Sequence, residues 1–421
     1  RKIMASEDYK DIFCCIRCAA CLNVCPAFRL VGGHVYGGSI YTGGIGTLLT
    51  SFLNSRERGK DIQNICLQCG TCNTVCGGKL DIAGMILKLR TKFAQEDGLN
   101  PVHKFCLDTV ADRHLFHSML RIASVAQGMI TKGQPMIRHL PMFLSGLTAG
   151  RSLPSVAPQP FRDILPTIKQ DVPNPKGKIA IFTGCLLDFV YVDIATDVVK
   201  ALNMAGYIVE MPLGQACCGA PATYMGDVEN AKKAAEMNLN AMEAEKYDYI
   251  VSACPTCTHA LRDYVDFFKD DPEMLKKAEA LRSKTFDFCK LVSMLGGLPD
   301  TGDGVPMKVT YHDSCHLNRY LGVTKEQREL LKATKGVELI EMHDCDKCCG
   351  FGGSYSVKFP EMSAPILEEK INNIVASGAD VVAVDCPGCL LQIRGGLDAR
   401  GLNNIQVKHT AQIVVEKREK K

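Results

Sequence analysis

Ala216-Cys217-Cys218-Gly219 is answered 131 residues later by Lys347-Cys348-Cys349-Gly350. Two adjacent cysteine pairs, each followed by glycine, call for a repeat, and the flanking sequence supplies it. Cys185 stands 31 residues ahead of the first pair, and Cys315 stands 32 ahead of the second. Cys254-Pro255-Thr256-Cys257 follows the first pair after 35 residues, and Cys386-Pro387-Gly388-Cys389 follows the second after 36. Matching cysteines are offset by 130 to 132 residues throughout. Self-similarity at a fixed period is read before any other fold signal.

The segments leading to these cysteines alternate between strand and helix. Lys178–Thr183 and Met307–Tyr311 are short apolar runs leading to Cys185 and Cys315, while Tyr249–Ser252 and Asp380–Val384 lead to Cys254 and Cys386. Helical patterns at Val228–Glu245 and Ile366–Ser377 lie between them. A further strand and helix follow each copy, Thr285–Phe288 into Lys290–Leu295 and Ile405–Lys408 into Ala411–Lys417. Each copy therefore reads as a β-α-β-α-β unit with a parallel sheet. Every cysteine group falls at the C-terminal end of a strand, where open parallel sheets bind ligands. Five thiols are thus expected to converge at one edge of each sheet. Cysteines that merely fill a core would not keep register twice. Gly219, Gly350, Gly352 and Gly353 would let backbone approach a bound group closely.

Eight further cysteines lie near the N-terminus. Cys15-Ile16-Arg17-Cys18-Ala19-Ala20-Cys21-Leu22-Asn23-Val24-Cys25-Pro26 and Cys66-Leu67-Gln68-Cys69-Gly70-Thr71-Cys72-Asn73-Thr74-Val75-Cys76-Gly77 share the spacing C-x2-C-x2-C-x3-C. Three thiolates three residues apart can wrap three irons of a cubane, and in the bacterial ferredoxin run the fourth serves the other cluster. The expectation is one [4Fe–4S] cluster on Cys15, Cys18, Cys21 and Cys76, and a second on Cys66, Cys69, Cys72 and Cys25. A closed zinc site would need only four cysteines in two pairs, which two matching quartets do not fit. Gly77 stands where this pattern carries proline, which alters a turn but removes no ligand. Between the quartets lies a glycine-rich insertion (Gly32, Gly33, Gly37, Gly38, Gly43, Gly44, Gly46), then helical patterns near Thr47–Leu53 and Asp81–Arg90. The insertion lacks G-x-x-x-x-G-K-[ST] and a preceding strand, so it is no phosphate loop.

Composition agrees. The 421 residues include 22 Cys, 46% hydrophobic and 23% charged residues, and a net charge of +3. That excludes a disordered chain and a small disulfide scaffold, and the weak charge gives no reason to expect nucleic acid. No run of 18 apolar residues suggests a spanning helix, although residues 115–150 could form an amphipathic, surface-bound segment. The chain opens on Arg1-Lys2 without Met and without a signal-peptide pattern, so a fragment or processed product is one expectation. A reducing, cytoplasmic compartment is the other, in which clustered cysteines hold metal.

The repeat C-x31–32-CCG-x35–36-C-P-x-C resembles the cysteine-rich CCG domain of heterodisulfide reductases, glycolate oxidase and glycerol phosphate dehydrogenase iron–sulfur subunits, and lactate-utilisation proteins. The resemblance implies a non-cubane [4Fe–4S] cluster on Cys185, Cys217, Cys218, Cys254 and Cys257. It implies a second on Cys315, Cys348, Cys349, Cys386 and Cys389, so that one or two such clusters join the two cubanes. The ferredoxin run, Gly32-Gly33-His34-Val35-Tyr36, Gly44–Thr50, Arg151-Ser152-Leu153-Pro154 and Gln159-Pro160-Phe161-Arg162 are similar to lactate-utilisation iron–sulfur proteins. This chain looks like a fusion of their ferredoxin-bearing and two-CCG subunits, joined near Pro154–Pro175 and without the LUD domain.

The expected fold is α+β multidomain. Residues 1–100 form an α-helical ferredoxin domain, 101–176 a helical segment and Pro-rich linker, and 177–300 and 301–421 two tandem α/β CCG domains. The resemblance implies an electron-transfer subunit of a lactate (2-hydroxy acid) dehydrogenase complex. Its partners would be a flavoprotein or LUD-domain subunit and an acceptor protein or quinone pathway, in the cytoplasm or peripherally on the inner membrane face. Two alternatives stay open: a heterodisulfide reductase-like catalytic subunit, and a quinone-linked subunit of glycolate or glycerol phosphate dehydrogenase. No flavin or nicotinamide fingerprint is visible. Cys14, Cys106, Cys289 and Cys345 are read as core or incidental. His316, beside Cys315, is expected to cap the following helix or face solvent, the alternative being a proton or hydrogen bond given to a cluster sulfide or substrate, and His409 lies where a strand meets a helix near the site.

Overall fold

The computed structural model describes residues 3–36, 44–128, 136–138, 150–299 and 304–418. Part of the glycine-rich insertion and much of the apolar segment 115–150 lie outside the described residues. Two compact units emerge. One gathers the residues up to Leu107 with Pro221–Glu229 and Gly350–Ile366; the other gathers Asp108–Ala220, Asn230–Cys349 and the residues from Leu367 onward.

The first unit is helical. Short turns of helix at Ala20–Asn23 and Thr71–Thr74 carry Cys21 and Cys72. Longer helices follow at Ile45–Leu53, Arg56–Asn64 and Ile82–Asp97. The last begins where it does because the Asp81 carboxylate accepts the Gly84 N–H at 2.9 Å, and Ser55 caps the helix before it in the same way, accepting from Arg58 at 3.2 Å. Such caps satisfy backbone donors that a helix end leaves bare. Ile82, Met85, Ile86, Leu89 and Phe93 recur on one helical face and bury against Tyr9, Ile12, Leu22, Ile45 and Leu48. Helices Ile45–Leu53 and Arg56–Asn64 approach so closely that a Cβ on Gly59 would lie 1.9 Å from the Ser51 hydroxyl.

The second unit holds two parallel sheets. A two-residue antiparallel pair, β1 (Met136–Ile137) with β2 (Leu153–Pro154), precedes them. Strands β3 (Gly177–Ile181), β4 (Tyr207–Glu210), β5 (Tyr249–Ser252) and β6 (Thr285–Asp287) lie in the order β4-β3-β5-β6. Strands β7 (Met307–Tyr311), β8 (Val337–Leu339), β9 (Val381–Ala383) and β10 (Gln406–Lys408) lie in the order β10-β9-β7-β8. All neighbours in both sheets are parallel. Each sheet thus has the second, first, third and fourth strands of its copy in that spatial order. The reversal of direction falls between the first and third strands, where such sheets bind ligands. Cys185 and Cys254 follow the two strands flanking that point in one sheet, and Cys315 and Cys386 do so in the other. Ile179, Ala180, Ile181, Ile250 and Val251 are all buried, as expected for parallel strands covered on both faces.

The two copies superpose in register. One residue past β3, the Phe182 N–H donates to Val251 O at 2.8 Å; one residue past β7, the His312 N–H donates to Ala383 O at 3.0 Å. They differ after the first cysteine. Cys185 leads into an α-helical turn, Leu186–Phe189, whereas Cys315 leads into a π-helical turn, His316–Tyr320. Such wider turns are frequent at functional sites.

Candidate metal centres

In the helical unit the loops Cys15–Cys21 and Cys66–Cys72 share one backbone path. Arg17 (φ 56°) and Ala19 (φ 64°) match Gln68 (φ 57°) and Gly70 (φ 71°). Left-handed backbone at a residue with a side chain costs about 1 kcal/mol, and three of these four bear one. Turns of this kind aim backbone N–H groups into a concavity that suits an anion. Burial pushes the Cys21 thiol up, and the neighbouring Cys15 and Cys76 add to the rise. Burial pushes Cys25 up to about 12, with Cys69 and Cys66 adding to it. Cys72 is raised by burial and then by Cys66, Cys69 and Cys25. Cys76 therefore lies with the first loop and Cys25 with the second, while Cys18 is exposed.

Arg90 locks the second loop. Its guanidinium donates to Gln63 Oε1 at 2.8 Å, to Gln63 O, and to Cys66 O at 3.0 Å. A fourth bond runs to Tyr224 O at 2.8 Å. The thiol of Cys66 is raised by burial, and the Arg90 charge works against that rise.

In the sheet unit the thiols form a continuous series. Cys185 neighbours Cys217, Cys217 neighbours Cys218, Cys218 neighbours Cys257 and Cys257 neighbours Cys254, each shifting the other's pKa. The series continues from Cys254 to Cys386, from Cys386 to Cys389 and from Cys389 to Cys349. All five thiols of the first set come together. The second set adjoins it through Cys386, and Cys315 lies beside His316, with Sγ 3.6 Å from Nδ1. Hydrogen bonds from its neighbours lower Cys218 to about 6, whereas those made with Cys218 and Cys254 come first in raising Cys257 well above an ordinary thiol. So many buried thiols cannot ionise together unless a cation shares the space. Iron supplies that charge and deprotonates its ligands, so these residues fit an iron–sulfur group.

Neutral hydrogen bonds hold the first set in place. Gln215 accepts the Thr183 N–H at 2.8 Å and donates to Ile181 O at 3.0 Å, tying the cysteine loop to the end of β3. Asn238 accepts from Ala216 N–H at 2.8 Å and donates to Cys217 O at 2.9 Å. The Tyr264 hydroxyl donates to Cys218 O at 2.9 Å. The second set has cations instead. Lys370, 1% exposed, donates to Asp344 O and Cys345 O. Burial lowers its pKa, against the pull of Cys349, Cys345 and Cys348. Arg151, buried and bonded to the Gln392 side chain, also feels Cys349.

His312, Cys349 and Cys389 have ligand atoms within 4.8 Å of one another. The His312 ring is buried with neither nitrogen hydrogen-bonded, and burial lowers its pKa to about 3. His312, Arg90, Lys370 and Tyr264 are site residues that spacing alone does not reveal. His316 neither caps the helix nor faces solvent: its ring stacks on Tyr320 at 5.0 Å, lies 5.7 Å from His259, and holds Nδ1 beside the Cys315 thiol. His409 is structural. Its Nδ1 accepts from Ala411 N–H at 3.0 Å, and its N–H donates to Gln412, closing a capping box. Cys289 is buried beside Asp385, Cys345 lies near Arg328, and Cys14 and Cys106 are exposed.

Fold and thiol placement define an iron–sulfur protein of the dicluster type with duplicated cysteine-rich domains. The 4Fe-4S dicluster domain family matches residues 11–80, and the CCG cysteine-rich domain family matches residues 179–262 and 309–394. The probable glycolate oxidase iron-sulfur subunit of Bacillus subtilis is 30% identical over 97% of this chain and 94% of its own length. Lactate utilization protein A of Shouchella clausii is 39% identical over 57% of this chain and 99% of its own length. A crystal structure of a hypothetical protein from Helicobacter pylori has the same fold, with a TM-score of 0.53, 10% identity, and coverage of 94% of this chain and 72% of that one. The chain belongs to the family of iron–sulfur subunits that includes the glycolate oxidase iron-sulfur subunit and lactate utilization protein A.

Proposed function

We propose that this chain is the electron-transfer subunit of a lactate (2-hydroxy acid) dehydrogenase complex. It exchanges electrons with a flavoprotein or LUD-domain partner and with a downstream acceptor, a protein or quinone pathway. The observation that carries this reading is the completeness of the thiol sets: two ferredoxin quartets, and two quintets that adjoin through Cys254 and Cys386. We assign cubane clusters to Cys15, Cys18, Cys21 and Cys76, and to Cys66, Cys69, Cys72 and Cys25. We assign non-cubane clusters to Cys185, Cys217, Cys218, Cys254 and Cys257, and to Cys315, Cys348, Cys349, Cys386 and Cys389. Clusters of this kind supply one-electron storage at potentials set by charge, burial and hydrogen bonding. The protein's own contribution is to exclude water from the buried thiols and to place Arg90, Lys370 and Arg151 where they offset negative charge.

Among the described residues no helix is long and apolar enough to cross a membrane. We place the subunit in the cytoplasm, peripheral on the inner membrane face when its acceptor is a quinone pathway. The test is anaerobic purification with iron and sulfide counting, followed by reduction with the co-purified flavoprotein and lactate. Two cubanes give about 8 irons and four four-iron clusters about 16. Reduction by glycolate but not lactate would move the assignment to a glycolate dehydrogenase, a reading favoured by the relative that matches 97% of this chain. The contact of the two quintets favours a second reading, in which a disulfide substrate is reduced there. Addition of disulfide to the oxidised protein would then perturb the cluster's paramagnetic signal.

A further inference from the structure

Phe182 and His312 occupy the same place in the two copies, one residue past the first strand, each donating its N–H to the neighbouring third strand. The side chains there are 0% and 1% exposed. An apolar ring suits that environment. An imidazole with both nitrogens unpartnered does not, since a buried polar group without a hydrogen bond is destabilising. The second copy nevertheless carries histidine, and one of its ring nitrogens lies within 4.8 Å of the sulfurs of both Cys349 and Cys389. Two thiols and an imidazole nitrogen at that separation form the donor set of a soft or borderline metal.

We propose that His312 ligates the metal centre of the second quintet through an imidazole nitrogen, alongside Cys349 and Cys389, while the first quintet, with Phe182 in that place, is bound by thiolates alone. This assignment rests on the reading that the quintets hold metal. It makes the two centres chemically unequal. A neutral nitrogen donor on the second centre, where the first has anionic sulfur donors alone, raises the cluster's reduction potential, as histidine ligation does in Rieske centres. Arg151 and Lys370 beside Cys349 act in the same direction. The second centre is therefore the more readily reduced of the pair, which gives electrons a direction across the Cys254–Cys386 contact.

The experiment uses the full chain, purified anaerobically from cells fed 15N-histidine, and its His312→Phe variant. Phenylalanine already fills the corresponding position of the other copy, so the variant keeps the local packing. Metal content is counted first. Pulsed electron-paramagnetic spectroscopy then reads the histidine-nitrogen coupling, and a redox titration reads the potentials. Where the second quintet takes zinc, zinc-edge absorption reads the imidazole instead. The expected result is a histidine coupling, or an imidazole scattering pattern, that His312→Phe removes and His316→Phe leaves in place. For an iron-loaded centre, a fall in one potential accompanies the loss in His312→Phe. A loaded second quintet without histidine coupling, or with coupling that survives His312→Phe, overturns the assignment alone. Metal confined to the ferredoxin cysteines, about 8 irons, overturns both the assignment and the reading beneath it.

Discussion

The thiols of Cys254 and Cys386 are neighbours across the two copies of the repeat, each shifting the other's pKa. Each stands immediately before a helix that begins with proline, Pro255–Asp263 or Pro387–Ala399, so the two helix starts bring the two cysteine sets together. Cys386 also neighbours Cys389. Removing it should therefore disturb both sets, whereas removing Cys348 should disturb one. Cys386→Ala is expected to lose about four irons from the second set and to alter the paramagnetic signal of the first. Cys348→Ala should lose the same iron and leave the first signal as it is. Identical first-set signals in the two variants would show that the contact carries no coupling.

The paired loops of the ferredoxin unit allow a second test. Ala19 and Gly70 hold the same left-handed conformation, at φ 64° and 71°. Glycine is free of the steric penalty that alanine bears there. Ala19→Gly should stabilise the unit by about 0.5–1 kcal/mol, and Gly70→Ala should destabilise it by a similar amount. Anaerobic denaturant titration of the loaded protein reads both, and shifts of the same sign would refute the argument.

Two buried acids, Asp287 at the end of β6 and Asp385 two residues past β9, predict a pH dependence. Asp287 is pushed well above the usual carboxyl range, first by burial and then by the charge of Asp385. Tyr311 donates to Asp385 at 2.6 Å, while one Asp287 oxygen has no hydrogen-bond partner. The folded protein thus holds a proton that the unfolded chain releases near pH 4. A pKa raised by folding contributes stability that is complete below the unfolded value and is lost as pH rises through the folded one. Stability should decline on the alkaline side in the wild type. Asp287→Asn keeps an acceptor for Cys289 N–H, bonded at 2.9 Å, and cannot ionise. Its urea midpoint should vary less between pH 6 and pH 9, and parallel profiles would count against a proton held on Asp287.

How much of this was legible before the structure depends on how local each feature is. Cysteine ligation works over two or three residues, so the quartets and the strand-end quintets stand out in spacing alone, and β3, β5, β7 and β9 lie within a residue or two of where the apolar runs place them. His312 does not stand out. It precedes Cys315 by three residues without a motif, and only the matching strand register pairs it with Phe182. Arg17, Ala19 and Gln68 carry no signal for left-handed backbone, because the loop imposes it. The grouping of Pro221–Glu229 and Gly350–Ile366 with the N-terminal helices is tertiary and has no periodicity to announce it.

Arg90 shows what such a tertiary contact does. From the helix Ile82–Asp97 it reaches the carbonyls of Gln63 and Cys66, next to the second ferredoxin loop. A hydrogen bond from a charged donor contributes about 1.5–3 kcal/mol, and leaving these carbonyls without a donor adds to the loss. Arg90→Gln should lower the unit's stability by about 2–3 kcal/mol. It should also lower the potential of the centre held by Cys66, because a positive charge beside a cluster favours its reduced, more negative state. Arg90→Lys keeps the charge but not the fork of donors, so it should restore most of the potential and less of the stability. Redox titration and denaturant unfolding of the two variants separate these effects. Equal potentials in Arg90→Gln and Arg90→Lys would assign Arg90 a purely structural role.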